Sequence, residues 1–129
     1  MISYAGDGRL TIEEILGESG LVAESFAGFE VRGEQLEMAG AVQKAFEDGH
    51  HLAVEAGTGT GKSFAYLASA LDYVFAAKSR VLVSTHTINL QQQLINKDIP
   101  FLADVLPYHF TAALAKGRGN YVCLRRLEY

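Results

Sequence analysis

Residues 55–63 read Glu-Ala-Gly-Thr-Gly-Thr-Gly-Lys-Ser, with three glycines inside five positions. Glycine loses more backbone freedom on folding than any other residue, so such a cluster implies a backbone that other side chains could not adopt. From Ala56 to Ser63 the run is a small residue, four of any kind, then Gly-Lys-Ser. That is the pattern of a loop whose backbone N–H groups turn inward around phosphate oxygens. Lys62 would reach the β- and γ-phosphates of a nucleotide, and the Ser63 hydroxyl would ligate Mg²⁺. A helix opening at Gly61–Lys62 would add its positive end to the same anion. The expected cradle is therefore Ala56, Gly57, Thr58, Gly59, Thr60, Gly61, Lys62 and Ser63.

The flanks set the expected fold. Ahead of the loop, His51 to Glu55 is a short apolar run of strand length, and after it a helical rhythm passes through Leu67, Ala70, Leu71 and Val74 to about Ala76. Arg80 to Ser84 (RVLVS) is a continuous β-branched run of the kind buried on both faces of a parallel sheet. Thr111 to Ala115 is a third apolar run. Helical spacing also appears at Ile12, Ile15 and Leu16. It recurs from Glu34 to Asp48, where Gly49 can end the helix in a left-handed conformation, and from Ile88 to Asp98, with Pro100 as its stop. Strands alternating with helices predict an α/β fold, a parallel sheet flanked by helices.

Composition narrows the setting. The chain has 129 residues, enough for one domain with a real core. No apolar run approaches the ~18 residues of a membrane helix, and the start MISYAGDGRL lacks a signal pattern, which predicts a cytoplasmic protein. One cysteine, Cys123, excludes an internal disulfide and fits a reducing compartment. The net charge of −4 is unevenly spread. Residues 1–55 carry three basic against eleven acidic side chains, a net of −8, and residues 56–129 carry eight against four, a net of +4. The positive later part is compatible with a phosphate-bearing partner.

Three further segments narrow the chemistry. In Phe29-Glu-Val-Arg-Gly-Glu-Gln35 an aromatic ring can stack on a flat base, and a glutamine amide can both donate to and accept from an adenine edge. The plainer alternative makes Phe29 a core side chain and Gln35 a solvated residue at a helix start. In Val81 to Leu94 (VLVSTHTINLQQQL) a strand-like run empties into hydroxyl, imidazole and amide groups suited to nucleic-acid phosphates and sugars, with Thr87 also a helix N-cap. The third, Lys116-Gly-Arg-Gly-Asn-Tyr-Val-Cys123, is basic, then aromatic, then a thiol.

In this order the segments resemble the iron–sulfur superfamily 2 DNA helicases of the bacterial DinG type, relatives of XPD, over about residues 12 to 129. By that resemblance EAGTGTGKS is motif I, and Phe29, Arg32 and Gln35 form the adenine-reading Q-type motif. STHTINLQQQL is motif Ia, with Thr85, His86, Thr87 and Gln91 on single-stranded DNA. Cys123 is the first of four ligands to a 4Fe–4S cluster. The resemblance implies a P-loop NTPase of RecA-like fold with an incomplete first motor domain. It divides the chain into an acidic lead segment at 1–28, a partial ATP-binding domain at 29–115 and the start of a cluster domain at 116–129. The implied activity is ATP hydrolysis, with Lys62 stabilising the γ-phosphate, coupled to 5′-to-3′ movement on single-stranded and forked DNA by a monomer. Departures are equally clear: the sequence has no Asp-Glu-x-His box, lacks three of the four cluster cysteines, and places Ala56 where the general loop pattern has glycine. The chain alone is therefore expected to be inactive as an ATPase. Two other readings are a stand-alone nucleotide- or DNA-binding module from a truncated gene, and a small P-loop kinase.

Overall fold

The computed structural model describes residues 8–127. Two helices that run parallel form a pair at its centre. Helix α3 (Gly33–Asp48) and helix α4 (Lys62–Ala77) pack along their length, and their contact is lined by Ala39, Ala65 and Ala68, all fully buried. Small side chains let the two backbones approach closely. Ser69 uses that closeness, its hydroxyl donating to the Ala39 carbonyl across the interface at 2.8 Å and lying 3.1 Å from Ala65 O in its own helix.

Against the pair lie two short helices, α1 (Ile12–Leu16) and α2 (Leu21–Ser25). Helix α1 starts with a reciprocal cap: Thr11 Oγ1 accepts from the Glu14 N–H, and the Glu14 carboxylate accepts from the Thr11 N–H at 2.7 Å. Ile15, Leu16 and Val22 are then buried in the core with Leu10, Leu102 and Tyr108. Gly49 ends α3 at φ 66°, in the left-handed conformation its position predicts.

The third body is one long helical rod. It comprises α5 (Ile88–Gln93), a π-helical turn (Leu94–Asp98) and α6 (Ile99–Val105). Pro100 was expected to stop it. Instead Pro100 occupies the first turn of α6, where its missing N–H and fixed φ do no harm, and the wider turn before it absorbs the change. Phe101 anchors the rod by edge-to-face contacts with Phe26 (6.1 Å) and Phe64 (5.7 Å). A 3₁₀ turn (Arg118–Asn120) and the short helix α7 (Leu124–Leu127) follow.

The expected α/β sheet is not there. Among the described residues no strand forms, and the three strand-like runs at 51–55, 80–84 and 111–115 are irregular. A strand exists only when its backbone N–H and C=O groups find a ladder partner, and no backbone ladder joins these segments. Their apolar side chains face outward as a result, with Leu82 90% exposed and Leu52 and Val54 each 43% exposed. Burial in this molecule is achieved by helices packing on helices.

A buried polar hub ties the lead segment to the central helix pair. Asp72 in α4 is fully buried, and its carboxylate accepts from Arg9 (2.6 Å and 3.3 Å), Gln43 Nε2 (3.2 Å) and the Tyr108 hydroxyl (3.4 Å). Arg9 also reaches Glu47 at 2.9 Å, and these partners hold its guanidinium well above its ordinary range. The Tyr108 hydroxyl in turn accepts from the Leu10 N–H at 2.9 Å, and its ring stacks on Phe75 at 4.5 Å.

Candidate nucleotide-binding site

The glycine loop enters α4 directly. Gly59 (φ 79°) and Gly61 (φ 76°) both take left-handed backbone angles, so two of the three glycines are required by conformation. Gly61 is the residue immediately ahead of a 16-residue helix, and Lys62 is that helix's first residue. The free N–H groups of the first turn therefore open onto the loop. Thr60 closes the loop on itself, its hydroxyl donating to Gly57 O at 3.0 Å. Lys62 folds back across it, the ammonium donating to Ala56 O at 2.8 Å and Gly57 O at 2.6 Å. Thr58 is exposed at the tip.

Gln35 supplies a second wall. It sits in the first turn of α3, 97% buried, and its Nε2 donates to Gly61 O at 2.9 Å. A Cβ at residue 61 would collide with that amide, so Gly61 is held to glycine by a neighbour as well as by φ. The other amide atom, Gln35 Oε1, is buried without a hydrogen-bond partner. An unsatisfied buried acceptor costs about 1–3 kcal/mol, a cost that a donor group on a ligand would relieve. Arg32 approaches the same loop, with its guanidinium 3.9 Å from the Cβ position of Gly59, while its side chain is 45% exposed and 3.8 Å from Glu30. Phe29 is half-buried against the hydrophobic core.

Residues 37–114 match the DEAD/DEAH box helicase family. The chain belongs to that family. It is 49% identical over 117 residues to the ATP-dependent DNA helicase YoaA of Haemophilus influenzae, covering 91% of this chain and 18% of that protein. It is 45% identical over 123 residues to the ATP-dependent helicase DinG of Mycobacterium tuberculosis, covering 92% of this chain and 18% of the relative. A third relative, named 3′-5′ exonuclease DinG, from Bacillus subtilis, is 37% identical over 112 residues, or 87% of this chain and 12% of its own length. The chain thus spans under a fifth of the curated relatives it matches. No solved structure matches it.

The nucleic-acid candidates of this helicase-family chain lie apart from the loop in sequence and gather at the start of α5. Thr87 is the N-cap, its hydroxyl accepting from the Leu90 N–H at 3.3 Å, and Thr85 Oγ1 donates to Thr87 O at 3.4 Å. His86 is exposed and Gln91 half-buried. Cys123 is an exposed free thiol, and among the described residues no three His, Cys, Asp or Glu side chains gather at one point. A 4Fe–4S cluster needs about four thiolates, so the residues of this chain do not fit that group by themselves. The phosphate loop, by contrast, offers conformation, charge and an orphaned acceptor together.

Two residues near the loop were missed by sequence reasoning. Burial raises the Tyr66 phenol above its usual range; the Ser63 hydroxyl works against that rise and the Asp98 carboxylate adds to it. Asp98 is itself buried in the π-helical turn and accepts from Gln93 Nε2 at 3.0 Å. A lone carboxylate in the helical stretch LINKDIPFL was the available signal. Among the described residues no helix is long and apolar enough to cross a membrane.

Proposed function

We propose that this chain is the nucleotide-cradling portion of an ATP-dependent DNA helicase that couples ATP hydrolysis to 5′-to-3′ movement on single-stranded and forked DNA. The observation that carries the reading is the junction of Gln35 with Gly61. It joins a base-reading type of side chain to the mouth of a phosphate-type loop, although the two lie 26 residues apart. Family membership and the helicase names of relatives support the same activity.

In this reading the backbone of Ala56 to Gly61 wraps the phosphates, while Lys62 leaves its two loop carbonyls to pair with them. Ser63 Oγ would hold Mg²⁺, which would supply positive charge beside the phosphates. Gln35 and Arg32 bracket the base side, with Phe29 as the stacking candidate. Thr85, His86, Thr87 and Gln91 take the DNA backbone through neutral hydrogen bonds. We keep residues 29–115 as the ATP-binding part and 116–129 as the start of a cluster-bearing part, in which Cys123 would be one ligand of a 4Fe–4S group completed outside this chain. A cytoplasmic location and a monomeric state complete the proposal.

The test is strand displacement by the whole protein that carries this segment. A forked duplex with a 5′ single-stranded tail should be unwound in Mg-ATP, and Lys62→Ala should abolish unwinding. Unwinding that is indifferent to Lys62→Ala, or that needs no ATP, overturns the assignment.

A further inference from the structure

We infer that the groove between α1 and the start of α3 is a docking site for a partner polypeptide, a short basic helical segment bearing leucine-type side chains one turn apart. None of the groove's residues belongs to the phosphate loop or to the start of α5, so this is a role beyond nucleotide and DNA binding.

The groove encloses about 530 Å³, within the range of about 300–1,000 Å³ at which clefts take ligands. Val31, just ahead of α3, and Leu36, in its first turn, line it with apolar surface, and both are half-buried. Leu36 also packs on the hydrophobic core, which fixes its place. One wall is the turn that joins α1 to α2. Gly17 is buried there, with its N–H donating to Glu13 O at 2.9 Å. A Cβ on residue 17 would collide with that same backbone carbonyl, so the wall is held to one tight path. Every lining residue precedes residue 37, where the match to the helicase family begins. The groove therefore lies on a part of the chain outside that match.

Charge selects the occupant. Glu13, Glu14 and Glu18 are exposed around the groove, and among the described residues no cation pairs with any of them. The Glu14 carboxylate is engaged by the Thr11 cap, which leaves Glu13 and Glu18 to face a ligand. The surrounding field has the same sign, since residues 1–55 carry a net of −8. Nucleic-acid phosphates are repelled by such a surface, and cationic groups are drawn to it. A small cation would satisfy the carboxylates and leave Val31 and Leu36 uncovered. A basic amphipathic helix satisfies both, with apolar anchors in the groove and arginine or lysine heads reaching the rim.

The experiment is fluorescence anisotropy of a labelled peptide, Leu-Arg-Arg-Leu-Leu-Arg-Arg-Leu, titrated with the purified chain at low salt. Its leucines share one helical face. Saturable one-to-one binding is expected, weakened about fivefold or more in the double variant Glu13→Lys, Glu18→Lys. Val31→Ser should weaken it about threefold, and a peptide with serine in place of every leucine should lose about tenfold or more. No saturable binding by the unaltered chain, or equal affinity for the serine peptide, overturns the proposal. Displacement of the peptide by an equal concentration of spermidine marks a small-cation site and also overturns it. So does a mass that doubles with concentration in sedimentation equilibrium and reverts in the double variant, which assigns the groove to a second copy. If Val31→Ser does not fold, the double variant decides, because both glutamates are exposed. Unchanged affinity there is refuting.

Discussion

Replacing each loop glycine by alanine separates three causes that the sequence pattern lumps together. At Gly57 an added Cβ meets nothing within 4 Å and the backbone is not left-handed, so Gly57→Ala should lie within about 0.5 kcal/mol of the parent. Gly59 has φ 79° and open surroundings apart from Arg32 Nη1 at 3.9 Å, so only backbone strain applies, about 1 kcal/mol. At Gly61 the same strain acts, and the Cβ also displaces the Gln35 amide from Gly61 O. Because Gln35 is buried and its Oε1 already lacks a partner, the displaced amide is stranded, at a cost of about 1–3 kcal/mol. Gly61→Ala should therefore lose about 2–4 kcal/mol. Urea denaturation followed by circular dichroism reads each loss from the shift in midpoint at constant slope. In a Gln35→Ala background the Gly61→Ala loss should shrink toward that of Gly59→Ala. Equal losses at Gly59 and Gly61, or a Gly61 loss unchanged by Gln35→Ala, would refute the reasoning.

Further expectations concern the hub and the thiol. Asp72→Ala removes a fully buried carboxylate that Arg9, Gln43 and Tyr108 address, and should cost about 2 kcal/mol by denaturation. The loss stays below that of a sealed ion pair because Arg9 keeps Glu47 and about a third of its exposure. Burial pushes the Tyr108 phenol up to about 12, above its unfolded value near 10. The folded chain thus holds that proton more tightly, its contribution is complete below about pH 10, and it is lost as pH rises toward 12. A melting series over that window should fall less steeply in Tyr108→Phe, and parallel slopes would contradict the assignment. Incubation of the purified chain with iron and sulfide should leave no stable visible absorbance, since it offers a single cysteine; a persistent band lost in Cys123→Ala would show otherwise.

Local signals were legible and pairing was not. The apolar spacing of Leu36, Ala39 and Val42 foretold α3, and the Gly-Lys-Ser step foretold the start of α4 at Lys62. Both depend on neighbours within one helical turn. The runs HLAVE and RVLVS carry strand composition, but a ladder needs a partner distant in sequence, and composition does not encode whether one is present. Pro100 misled for a related reason, because its meaning depends on the turn it sits in. Within the site the loop was readable from residue types alone. The clip between Gln35 and Gly61 was not, since each residue had an adequate explanation in its own motif. Asp72, Asp98 and Tyr66 carry no periodic signal of their own, and only packing shows which groups face them.

The central claim, that the loop from Ala56 to Ser63 is a nucleotide cradle served by Lys62, is tested most directly by calorimetric titration of the chain with Mg-ATP. Saturable one-to-one binding is expected, weakened at least about tenfold in Lys62→Ala, as befits loss of a charge-assisted pair of about 1.5–3 kcal/mol. Absence of binding by the unaltered chain, or equal affinity in Lys62→Ala, would contradict it.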